Sequence, residues 1–145
     1  MFRDRITILL QFVKKVFYEH DISKLNLDVN KTQTNILMFI NENNDKSMSE
    51  ISTMTGLEKS SFTRSVDSLV ENGFITRNLP ENDRRKIKLT LTKKGVQAAE
   101  IIRNDFDSYL DSLVSDFSEN EKIDFFDSLA IISKYMNKIL ESKKR

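Results

Sequence analysis

Apolar residues recur along this chain with two periods, near 3.6 and near 2, and the switch between them outlines its architecture. Ile6, Leu9, Leu10, Val13 and Phe17 fall on one stripe of a helix ending near His20. Asp28 to Asn30 give a polar start to a second helix carrying Ile36, Leu37 and Ile40, which the run Asn41-Glu42-Asn43-Asn44-Asp45 breaks. Ser47 to Ser49 introduce a short helix with Ile51 and Met54 expected inside. Ser47 or Ser49 supplies its N-cap, a hydroxyl accepting from an otherwise orphan backbone N–H. Thr55-Gly56-Leu57 then turns the chain, with Leu57 tucking back toward the core. From near Glu58 a further helix places Phe62, Val66, Leu69 and Val70 inward. Its opposite face shows Lys59, Ser60, Ser61, Thr63, Arg64 and Asp67.

After Asn72-Gly73, a helix C-cap, the period changes. Phe74 and Ile75 open a strand ending around Leu79-Pro80, and Ile87, Leu89 and Leu91 alternate with Lys86, Lys88 and Thr90. The turn between them is Glu81-Asn82-Asp83-Arg84-Arg85. A hairpin directly after a helix-turn-helix reads as a wing. Thr92 caps a long helix with Ala99, Ile102, Phe106, Tyr109, Leu110, Leu113 and Phe117 as its apolar positions. Ser118 and Glu121 form a capping box for a last helix bearing Phe125, Phe126, Leu129, Ile132, Met136, Ile139 and Leu140. The terminal helices carry more apolar surface than one small winged unit can cover. Their stripe therefore calls for a second copy of the chain, and the aromatic and methionine richness reads as core and seam.

Composition sharpens this picture. One Pro and three Gly in 145 residues favour long helices and leave room for one small hairpin, a mainly α chain with a minor β element. From Lys59 to Lys94 there are 9 Lys/Arg against 4 Asp/Glu, whereas the whole chain reaches only +1. Positive charge concentrated on one helix and one hairpin is the footprint of a phosphate-binding face. Without cysteine there is no disulfide, thiol nucleophile or thiolate zinc site, and a single histidine gives no basis for a multi-histidine metal site or a triad. No Gly-rich phosphate loop or nucleophile–base pair is evident, so no catalytic residue, cofactor or metal is expected, and the chain does not read as an enzyme. Pairs such as Asp105/Asp107 and Glu119/Glu121 read as solvated helix faces and caps. No apolar run reaches membrane-spanning length, and the N-terminal apolar stretch lacks a small-residue cleavage site. The expectation is a soluble cytoplasmic protein with no membrane partner, associated with the nucleoid when bound to DNA.

The run from about Met48 to Gly95 resembles the winged helix-turn-helix of MarR-type (multiple antibiotic resistance) transcription regulators. The resemblance rests on Ser49-Glu50-Ile51 entering the first helix and Leu69-Val70-Glu71-Asn72-Gly73-Phe74-Ile75-Thr76-Arg77 leaving the second. It continues through Asp83-Arg84-Arg85 in the wing and Leu89-Thr90-Leu91-Thr92-Lys93-Lys94-Gly95 opening the long helix. The flanking helices match in number and length. The resemblance implies that residues 1–30 and 95–145 form a helical dimerisation region and residues 31–94 the DNA-binding unit. It further implies a homodimeric repressor on a pseudo-palindromic double-stranded operator. Ser49, Lys59, Ser60, Ser61, Thr63 and Arg64 would meet bases and phosphates. Arg84 or Arg85 would enter the minor groove beside Lys86, Asp83 would hold an arginine by a bidentate ion pair, and Arg77 would contact the backbone or brace the wing. Guanidinium forks suit these roles independently.

Relatives of that type often bind small aromatic carboxylates in a crevice between the dimerisation helices and the winged unit. The resemblance therefore implies a small aromatic or anionic effector near Phe17, His20 and Met38; a lone histidine at that position is also compatible with a surface or core-edge residue. The modest net charge leaves open a different class, a winged module that binds protein rather than DNA.

Overall fold

The computed structural model describes residues 1–83 and 86–143. In chain order these form α1 (Phe2–Tyr18), a 3-10 turn (Ser23–Leu25), α2 (Lys31–Glu42), α3 (Met48–Thr55), α4 (Lys59–Glu71), β1 (Ile75–Asn78), β2 (Lys88–Leu91), α5 (Lys93–Leu113) and α6 (Glu119–Ser142). The expected class, mainly helical with one small hairpin, is the class observed. Packing divides the chain within α5 into two compact units, Met1–Asp107 and Ser108–Arg145.

Local chemistry sets the helix boundaries. Of the two candidate caps for α3 the structure uses Ser47, whose hydroxyl accepts from Glu50 N–H while the Glu50 carboxylate accepts from Ser47 N–H, at 3.2 and 2.7 Å. Asn30 and Gln33 make the same reciprocal pair at the start of α2, and Ser118 and Glu121 at the start of α6. The end of α4 is a Schellman closure: Phe74 N–H reaches the Leu69 carbonyl and Gly73 N–H the Val70 carbonyl, at 2.9 and 3.0 Å. This geometry requires a left-handed residue, and Gly73 sits at φ +76°.

The core of the first unit gathers Ile36, Leu37 and Ile40 from α2 and Ile51 from α3. Phe62, Val66 and Leu69 join from α4, Phe74, Ile75 and Leu89 from the hairpin, and Ala98 and Ile102 from α5. Most are almost fully buried, and burying one such aliphatic or aromatic side chain contributes about 1.5–3 kcal/mol. Leu25, Leu27 and Val29 close the core from the connection before α2. Met54 departs from expectation and lies at the surface. In a two-turn helix, the inward positions around Ile51 are taken by Met48 and by Leu57 just past the turn.

The hairpin is antiparallel with Ile75 opposite Leu91 and Asn78 opposite Lys88. Ile87 lies outside the strand. Its carbonyl instead accepts from Met48 N–H at 2.7 Å, and Ser47 bridges to Lys88, so the start of α3 extends the small sheet. Thr92 joins hairpin to α5. Its hydroxyl donates to the Gly73 carbonyl at 2.6 Å and accepts from Gly95 N–H at 3.1 Å, acting as the expected cap. Phe117 lies beyond the end of α5; its ring meets Phe125 edge-on at 6.0 Å. Within a single chain the stripe of α1 stays largely uncovered, with only Val16 buried on that helix, and α6 has no buried residue at all.

Candidate nucleic-acid interface

Helix α4 separates its two faces sharply: Phe62, Val66 and Leu69 are buried, while Lys59, Ser60, Thr63, Arg64 and Asp67 are exposed. Ser61 is half-buried at the margin. Ser49, in the first turn of α3, is exposed. Glu58, ahead of α4, makes no side-chain capping bond, so that helix start presents backbone N–H groups and Lys59 together.

Two acids, Asp67 and Glu71, are exposed on this face; Asp67 comes three residues after Arg64, where the two could pair within the helix. The structure gives Asp67 another partner. Arg77, from β1, donates its guanidinium to the Asp67 carboxylate. The tie locks strand to helix, offsets a negative charge that would repel phosphate, and leaves Arg64 without an ion pair among the described residues. At the wing, Asp83 N–H bonds the Pro80 carbonyl and Lys86 N–H the Asp83 carbonyl, at 3.3 and 3.1 Å, so backbone turns shape the start of the loop. Arg84 and Arg85 lie outside the described residues, and with them the pairing expected of Asp83. Lys86 is exposed.

Elsewhere in the first unit, Phe17, His20 and Met38 line one crevice of about 420 Å³, together with Lys31, Thr34, Asn35, Asp105 and Phe106. His20 is buried, and its Nε2 donates to Asp105 Oδ2 at 2.6 Å; Lys24 Nζ donates to Oδ1 of the same carboxylate at 2.9 Å. Burial, the largest single influence, opposes ionisation of Asp105. The hydrogen bonds from Lys24 and His20, with their charges, outweigh it and hold the carboxyl below its usual range. Asp105 is therefore not a solvated helix face, as the sequence suggested, although Asp107 is exposed. Lys31 donates to the Tyr18 carbonyl, and the Phe17 and Phe106 rings lie 5.5 Å apart. Asp105, Phe106 and Lys31 escaped sequence reasoning because partners 81 or more residues away in sequence, or a backbone carbonyl, decide their place.

A short helix, a turn through Gly56, a longer helix with a polar basic face and a two-stranded hairpin define a winged helix-turn-helix protein. The MarR family model matches residues 27–86. The HTH-type transcriptional regulator BilQ of Clostridium symbiosum (strain WAL-14163) is 31% identical over 74% of this chain and 75% of its own length. Its namesake in Clostridioides difficile (strain CD3) is 28% identical over 66% of this chain, which spans 65% of that relative's length. A MarR family protein from Bacillus stearothermophilus shares the fold with a TM-score of 0.77 at 22% identity, over 92% of this chain and 94% of its own. The chain belongs to the MarR family and is a DNA-binding transcription regulator.

Proposed function

We propose that two copies of this chain, joined through α1, α5 and α6, bind a pseudo-palindromic duplex operator as a cytoplasmic repressor and release it when a small aromatic or anionic molecule enters the crevice. The observation that carries the reading is the exposed face of α4, where Asp67 is turned to Arg77 and the cations Lys59 and Arg64 stand clear beside Ser60 and Thr63. Residues of this kind at a helix start suit a major groove, with phosphates held by Lys59 and backbone N–H groups. The wing, with Lys86 and the Arg84-Arg85 pair, would lie over the adjacent minor groove. The uncovered apolar residues of α6, Ile131, Ile132, Tyr135, Met136, Ile139 and Leu140 among them, support assembly, because water contact with so continuous a stripe is unfavourable.

For the crevice, the support is its apolar wall of Val13, Phe17, Met38 and Phe106, a lining that suits a flat aromatic body, with Lys31 beside the acids Glu42 and Asp105. Selection of bound fragments from a random duplex pool, repeated at two salt concentrations, tests the central claim. A two-half-site sequence spaced by about one helical turn, bound with affinity that falls steeply with salt, is the expected result. Failure to retain any duplex at low salt would leave the winged unit as a protein-binding module. Benzoate, added to the selected complex, is the first probe of release.

A further inference from the structure

Helix α2 stands between the crevice and the recognition helix, and its first turn lines two hollows at once. Lys31, Thr34 and Asn35 line the crevice, whereas Asn30 and Gln33 line a polar hollow of about 360 Å³ shared with Ser68 and Asn72 at the end of α4. Gln33 is buried and uses both ends of its amide. Its Oε1 accepts from Asn30 N–H at 2.8 Å, closing the capping box, and its Nε2 donates to Ser68 Oγ at 2.9 Å. Ser68 Oγ also accepts from Asn72 Nδ2 at 3.3 Å, and the Asn72 carbonyl accepts from Lys94 Nζ at 2.8 Å.

The end of α4 is thus held by directional bonds from α2 and α5, and by Arg77 through Asp67, while its start has no side-chain cap. Apolar contacts between α2 and α4 permit sliding; a buried amide donating to one hydroxyl fixes their register. We infer that Gln33 is a positioning residue, which through Ser68 couples the crevice-lining turn of α2 to the aim of the recognition helix. The inference rests on the regulatory reading above. A body wedged against Thr34, Asn35 or Met38 shifts the first turn of α2, and the Gln33–Ser68 bond carries that shift to α4. With the bond cut, the two helices respond independently.

The test needs no natural effector. Met38→Trp places an indole in the crevice as a surrogate occupant, and Asn35→Trp, at an exposed position, does so with less demand on the core. Each is made in the wild-type chain, in Ser68→Ala, which leaves the Asn30–Gln33 capping box intact, and in Ser68→Thr, which keeps the hydroxyl. Operator affinity is measured by fluorescence anisotropy on the full chain, with thermal melting alongside. The expected result is that the tryptophan weakens operator binding by about fivefold or more in wild type and Ser68→Thr, and by less than about twofold in Ser68→Ala. An equal factor in all three backgrounds overturns the inference, as does no effect of either tryptophan in the wild-type chain. Absence of duplex binding by the unsubstituted protein would instead refute the DNA-binding repressor reading, so the two failures are distinguishable.

Discussion

Replacing Gly95 by alanine sets two physical effects against each other. Gly95 lies in the first turn of α5, where helix propensity alone favours alanine by about 1 kcal/mol. A Cβ built there, however, lies 2.0 Å from the Phe74 carbonyl oxygen, 3.1 Å from its carbon and 3.3 Å from Leu91 Cδ2. To reach ordinary contact the carbonyl must retreat by roughly 1.4 Å, starting from 2.0 Å. That oxygen is not free to move. It accepts from Thr92 N–H at 3.0 Å and lies 3.1 Å from the Thr92 hydroxyl that caps α5. The substitution therefore strains the junction of α4, hairpin and α5, and overpacking of this kind costs about 1–3 kcal/mol even after the propensity gain. For a chain of this size that corresponds to a melting temperature lower by roughly 3–10 °C. Differential scanning calorimetry and urea unfolding measure it. Gly56→Ala is the control, because nothing lies within 4 Å of its added Cβ and only the φ of +66° opposes alanine, so a smaller loss of about 1 kcal/mol is expected. A Gly95→Ala protein as stable as wild type, or more so, would refute the steric reasoning.

Other expectations follow from named contacts. Arg64→Ala should weaken operator binding by about 1–3 kcal/mol and relax sequence preference if the guanidinium reads a base; loss uniform across sequences with a shallower salt slope would place it on phosphate, and unchanged affinity would remove it from the interface. Ser47→Ala should cost about 1 kcal/mol of stability through the lost cap, whereas Ser49→Ala should leave urea unfolding within about 0.5 kcal/mol of wild type and act on DNA affinity alone; the reverse ranking would contradict the observed cap. Because the folded-state pKa of Asp105 is lowered, its contribution to stability is present above the unfolded carboxyl pKa and is lost as pH falls through the lower folded value. Asp105→Asn should therefore flatten the acid side of the stability–pH curve below about pH 4, and an unchanged slope there would show that the Lys24–Asp105–His20 cluster does not contribute.

How much of this was legible beforehand depended on the range of the interaction. The capping box at Ser118 and Glu121, the glycine closure at Gly73 and the cap at Thr92 are written within a few residues each, and all three were found where expected. Met54 misled because a local period cannot say which neighbours reach a position first, whereas the alternation of Ile87, Leu89 and Leu91 with Lys86, Lys88 and Thr90 is the observed burial pattern. Asp105 misled more instructively. Beside Asp107 it looks like one more acid on a wet helix, and only the fold brings His20 and Lys24 to it.

The sequence by itself determined the order of elements, the capped helix starts and the polar face of α4, because those depend on periodicity and on chemistry confined to neighbouring residues. Tertiary structure alone decided that Arg77 brackets Asp67 and that Gln33 reaches Ser68. Such pairings join groups 10 and 35 residues apart, and their partners are chosen by how the elements pack rather than by any spacing along the chain.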